Sequence, residues 1–171
     1  MRMILDWIPR WGFLMIEYRS AMPIQIADGM TFRGTAIAWN DSTAPLAELN
    51  GYRERFKPDA LRWDENTAMY MGHAFEQQIP LARVGAGTMA LRSTENGLQF
   101  EGKLPEWAGA ITEALRRGDL SGAVSIGFRA DEDGSTYNNR ARLRTVHAAR
   151  LHHVAIVPVG AYSSASGTLD T

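Results

Sequence analysis

Cysteine is absent from these 171 residues. That excludes disulfides, thiolate nucleophiles and thiolate metal sites, and it fits a reducing compartment. Histidine is scarce, so chemistry that needs an imidazole must draw on His73, His147, His152 and His153. Charge of one sign is lacking too. The net charge is −1, which gives no broad basic field for nucleic acid. Long apolar runs are also missing. The apolar stretch Met1–Ile16 is broken by Asp6, Pro9 and Arg10, and its uncharged runs are too short for a signal sequence or a membrane span. This arm is expected to pack on the domain or on another subunit through Trp7, Trp11 and Phe13.

What is present is the composition of a globular chain, 45% hydrophobic and 22% charged, with length for one well-filled core. No repeat or change of composition divides it. The expected organisation is an N-terminal arm at 1–29, one domain at 30–162 and a small, polar, flexible tail at 163–171.

Two-residue alternation of apolar and polar positions predicts strands at Met30–Trp39, Tyr52–Phe56, Thr67–Met71, Ile79–Val84, Thr88–Leu91, Leu98–Leu104, Arg140–Thr145 and Leu151–Val157. Gly34 is the expected bulge, or point of close backbone approach, of the first. Asn96-Gly97 marks a hairpin. Pro58 suits the first turn of a short helix through Leu61. Pro105–Arg117 is the clearest helix, with Trp107, Ile111 and Leu115 in an apolar stripe and Gly118 as its stop. Asp131–Asn139 reads as an acidic loop, and the arginines of Arg140–Arg150 as a solvated strand face able to touch an acidic partner. Short strands around one clear helix indicate a mainly β, α+β fold, a barrel or sandwich decorated by helices.

Leu120–Phe128 stands out. Val124, Ile126 and Phe128 share the face expected to be buried, and Ser125 and Gly127 lie side by side on the other. A serine next to a residue without a side chain leaves room for a substrate at its hydroxyl; an ordinary half-buried strand reads the same way. Serine needs a base, and the base needs an orienting group. His73 follows Gly72 at a strand end. Strict alternation in the last strand puts Leu151, His153, Ala155 and Val157 on one face, and His152, Val154 and Ile156 on the other.

Several motif matches fail on context. Gly85-Ala86-Gly87-Thr88-Met89-Ala90 fits a dinucleotide fingerprint, but no helix has room to begin there. Ala123–Gly127 approximates a nucleophile elbow without the helix that an elbow enters. The glycine after Asp131 and Asp133 comes too early for a calcium loop, and the histidines lack zinc-ligand spacing. No metal or cofactor is implied.

The order of parts resembles the prohead (capsid maturation) proteases of tailed phages, relatives of the herpesvirus assemblins. The resemblance runs from about Thr31 to Tyr162. Gly34-Thr35-Ala36 is similar to the family's opening strand, and Tyr52–Leu61 to its F-x-E-x-x-x-P-G-A-F segment. Met71-Gly72-His73-Ala74 resembles the motif around its catalytic histidine, and Gly85–Leu91 its G-x-G-T-L-x-L hairpin. The helix ending at Arg116-Arg117-Gly118-Asp119 resembles the one before its serine motif. Ser121–Phe128 resembles S-G-x-S-x-G-F, and Leu151–Ala161 the closing L-x-E-V-S-x-V-x-x-P-A block.

The resemblance implies a herpesvirus-protease-like closed β-barrel surrounded by a few helices. It implies a serine endopeptidase with Ser125 as nucleophile, His73 as base and His153 as third member. An extra residue at Ala123-Val124 keeps Ser121 as the alternative nucleophile. His153 stands where the family usually has an acid, which resembles the assemblin Ser-His-His arrangement, and His147 is the alternative third member. The Val159-Gly160-Ala161 turn is the expected oxyanion site. Implied partners are the major capsid protein with its scaffolding segment and a second copy of this chain, without nucleic acid or membrane. Self-cleavage and action inside the assembling prohead, in the host cytoplasm, are implied as well. A non-catalytic scaffold or capsid-assembly module on the same barrel is the competing expectation, and a small esterase a third.

Overall fold

The computed structural model describes residues 17–21, 25–27, 31–43, 45, 46, 49–74, 76 and 78–158, with side chains described from residue 31 onward. The arm at 1–16, the tail and the Val159-Gly160-Ala161 turn lie outside the described residues. Among the described residues the fold is mainly β with one short α-helix. Pairing among the described strands forms three sheets.

The sheet that matters for function combines β1 (Glu17–Ala21), β10 (Val124–Ala130), β13 (Ala149–Ile156), β6 (Ala68–Met71) and β7 (Ala82–Arg83) in that spatial order, with β5 (Leu61–Arg62) also on β13. β10 runs antiparallel to β1 and β13, whereas β6 and β5 run parallel to β13. A second sheet has the order β2 (Gln25–Ala27), β3 (Thr31–Ala38), β9 (Gly97–Lys103) and β8 (Met89–Ser93), all antiparallel. The third joins β11 (Ser135–Asn138), β12 (Leu143–Val146) and β4 (Arg53–Phe56).

The apolar alternation of β10 does what its period demands. Val124, Ile126 and Phe128 are fully buried, each contributing ~1.5–3 kcal/mol by burial. The Phe128 ring meets Phe56 of β4 edge-on, with centroids 5.0 Å apart. Behind it lies a buried ion pair that hydropathy did not foretell: Arg144 of β12 donates from Nη1 to Glu54 Oε2 at 2.9 Å, with 5% and 0% side-chain exposure. Arg144 is therefore no part of a solvated face, and its guanidinium stacks over the Phe128 and Tyr137 rings.

Several local expectations are corrected. The bulge of β3 lies between Thr35 and Ile37, not at Gly34, which pairs in register with Phe100. The extra residue turns Ile37 to the same interior as Phe32, both buried. Pro58 opens a turn, not a helix, because Asp59 adopts φ +58° and Ala60 N–H closes on the Lys57 carbonyl. Of Ile79–Val84 only Ala82 and Arg83 form a strand. The 105–117 segment starts as a 3-10 turn (Glu106–Ala108), and the α-helix, α1, spans Gly109–Arg117. That tighter first turn takes Trp107 off the stripe, so Trp107 is 59% exposed while Ala108, Thr112 and Leu115 are buried. Gly118, at φ +78°, caps the helix as expected. The acidic loop contains β11, whose exposed polar side chains hide a strand paired through its backbone with β12. Residues 139–142 form the turn before β12, with Arg142 at φ +46°.

The Asn96-Gly97 hairpin does form. Thr94 closes it, its N–H and hydroxyl both donating to the Gly97 carbonyl. Val84–Ala86 is a 3-10 turn ended by Gly87 at φ +69°, so no helix begins at that glycine motif. No helix among the described residues is long and apolar enough to cross a membrane.

Candidate active site

Three adjacent strands carry the site. Ser125 lies on β10, His153 on β13, and His73 just past the end of β6. The register aligns Ser125 with Ala155 and Tyr70, and Gly127 with His153 and Ala68. Residues aligned in this way share a sheet face, so Ser125, Gly127, His153 and Tyr70 project to the same side. Ser125 is 2% exposed and His153 fully buried.

A bulge gives His153 its direction. One step along β10, from Gly127 to Phe128, corresponds to two along β13, from His153 to Leu151. His152 is the inserted residue. Strict alternation would have put Leu151 on the face of His153. With the bulge, Leu151 instead joins Val154 and Ile156 in the core, while Ala155 packs with Ala123 and Val157 in a second cluster. Half-buried His152 has its Nε2 atom buried without a hydrogen-bond partner.

His73 reaches back over the sheet because β6 is followed by Gly72, at φ +73°, whose N–H donates to the Ile156 carbonyl. A left-handed turn of this kind favours glycine. It brings His73 Nδ1 to 3.2 Å from His153 Nε2, with ring centroids 5.5 Å apart. The Tyr70 ring stands edge-on to His153 at 5.9 Å. Sequence reasoning missed Tyr70, although its place two residues before Gly72 on the strand leading to His73 was a usable signal.

Burial pushes the His73 imidazole down from an ordinary 6.5 to about 4. His153 falls to about 3, chiefly through burial, then through the nearby His73 and His152 rings. Both rings are neutral at pH 7. A neutral pair sharing this bond has one donor and one acceptor. If His73 Nδ1 carries the proton and donates to His153 Nε2, then His73 Nε2 presents a lone pair, the tautomer a general base requires.

The space beside Ser125 is not open. The sequence reading left room for substrate at Gly127, but the His153 ring fills it: a Cβ added there would lie 2.3 Å from His153 Cε1. The alternative residues sit in other bonds. Ser121 is exposed and donates to the Pro158 carbonyl at 3.3 Å. His147 is exposed, its Nε2 2.7 Å from the Asp133 carbonyl oxygen. Among the described residues, no cluster of three or more His, Asp or Glu side chains is placed to hold a metal.

Further along the same sheet, Arg129, Arg150 and Arg62 align across β10, β13 and β5. They line a cleft of about 530 Å³ together with Ala130, Asp131 and Glu132. Asp131 holds Arg62 through two bonds of 2.6 Å, and Asp64 holds Arg150. The cleft largely neutralises itself.

The family model described as caudovirus prohead serine protease matches residues 17–170. No curated protein and no solved structure matches the chain.

Proposed function

Because the chain belongs to the caudovirus prohead serine proteases, serine endopeptidases of capsid maturation, we propose that it cleaves peptide bonds with Ser125, His73 and His153. Ser125 Oγ attacks the scissile carbonyl while His73 Nε2 takes its proton. His153 accepts from His73 Nδ1–H, fixes the tautomer and supports the imidazolium that forms. His73 then gives its proton to the leaving amine, and water repeats the sequence on the acyl-enzyme. Ser125 is 2% exposed, so acylation requires its hydroxyl to become accessible to substrate.

The observation that carries the reading is the 3.2 Å bond between His73 Nδ1 and His153 Nε2, made on the sheet face that Ser125 shares. A base held near pKa 4 accepts a proton reluctantly at neutral pH, and a neutral third member supports the resulting cation less than a carboxylate does. Slow turnover follows, which suits an enzyme that acts a limited number of times inside one particle. Its substrates are the scaffold and the scaffolding segment of the major capsid protein, with self-cleavage in its own tail, inside the prohead. A herpesvirus-protease-like closed barrel is the architecture we assign to the three sheets, and a second copy is the partner we assign to the chain.

Changing Ser125 to Ala is expected to abolish processing of co-expressed capsid protein, read by mass spectrometry, without lowering the thermal midpoint. Full processing by that variant would overturn the assignment and promote Ser121.

A further inference from the structure

Gly127 lies inside a seven-residue strand, where a glycine weakens packing and pairing. Its φ lies outside the left-handed range adopted by Gly72, Gly87, Gly118 and Gly122, so the backbone does not call for it. Space does. A Cβ on Gly127 would come within 2.3, 2.6 and 2.7 Å of His153 Cε1, Nε2 and Nδ1. The ring therefore lies flat across the strand where a side chain would otherwise stand. Its other neighbour in register is Ala68, fully buried and carrying only a methyl, and Tyr70 closes the slot edge-on.

We propose that Gly127 is a positioning residue: the missing Cβ is the slot that seats the His153 ring against His73. The ring is fully buried and backed by Tyr70, so it cannot swing into solvent while keeping its bond to His73. Any residue larger than glycine at 127 must push the ring off Nδ1 of His73, and the base then loses its orientation. This inference rests on the Ser125–His73–His153 reading, because only a working third member makes the seat matter for turnover.

The test compares four chains: wild type, Gly127→Ala, His153→Ala and the double variant. Each is assayed for peptide-bond cleavage, with kcat and KM separated, and for thermal midpoint. His153→Ala is expected to lower kcat by at least about 10-fold, well short of the ~10⁴ seen where a buried carboxylate orients the base. Gly127→Ala is expected to lower kcat by the same factor with KM unchanged, and to add nothing in the His153→Ala background. The double variant should also melt above Gly127→Ala, since removing the ring frees the space the methyl needs. If Gly127→Ala fails to fold, that comparison still decides: a folded double variant supports the slot, and an unfolded one overturns it. A second loss of kcat in the double variant overturns it too. A slow His153→Ala beside a fast Gly127→Ala overturns the slot alone, whereas a wild-type rate in His153→Ala removes His153 from the reaction and the proposal with it.

Discussion

Replacing Glu54 by Gln tests how the core under the site is held. Gln keeps the shape and an acceptor for Arg144 Nη1, 2.9 Å away, so the change removes charge without opening a cavity. Glu54 has 0% and Arg144 5% side-chain exposure, so water compensates little. At ~4 Å between charge centres and an effective dielectric constant of ~20, the lost attraction is ~4 kcal/mol. Breaking one side of a buried pair generally costs about 3–5 kcal/mol, and the two figures agree. With a urea m-value of ~2 kcal/mol/M, the unfolding midpoint should fall by ~1.5–2.5 M. Urea is the right denaturant because guanidinium would screen the charges under study. The double change Glu54→Leu with Arg144→Met should recover most of the loss, since a well-packed apolar replacement is often neutral or stabilising. A midpoint shift below ~0.5 M for Glu54→Gln would refute the reasoning, because the stated cost divided by the m-value cannot be that small.

Three further outcomes follow from the same interior. Burial holds His73 near 4 and His153 near 3, below the ordinary 6.5, so the unfolded chain binds protons first as pH falls. The stability linked to these rings is complete above pH 6.5 and is lost from there down toward pH 4 for His73 and pH 3 for His153. Urea midpoints at pH 7 and 5 check this, and equal values would contradict it. The acid limb of kcat/KM should fall near pH 4 rather than 6.5. Phe128→Ala removes a ring that is fully buried against Phe56, and it should cost about 3–5 kcal/mol in urea unfolding.

Much of this was legible in the chain, for reasons that differ by element. The period of two in Val124–Phe128 reported the face of β10 correctly, because each large side chain there is buried. The Asn96-Gly97 turn and the Gly118 stop are local chemistry, and both formed. The bulge at His152 was not legible, because an inserted residue leaves no mark in composition and alternation counts straight through it. The Glu54–Arg144 pair was hidden for a related reason: a charged residue in a strand reads as a wet face, and its partner lies 90 positions away. Trp107 was misjudged because a 3-10 start shifts the phase of a helix without changing its residues. His73 and His153 were singled out in sequence. Only the parallel pairing of β6 with β13 explains why residues 80 apart meet.

The odd residue in β13 is a spacer that the pairing steps over. Excision of His152 would make Leu151 and His153 neighbours in the chain, and plain alternation would still send them to opposite sides, facing Phe128 and Gly127 as they do now. Such a shortened chain can keep both its oily interior and its pair of touching imidazoles. Length in this strand is therefore free to vary at 152, whereas loss of a residue that is paired would roll the rest of the strand by half a turn.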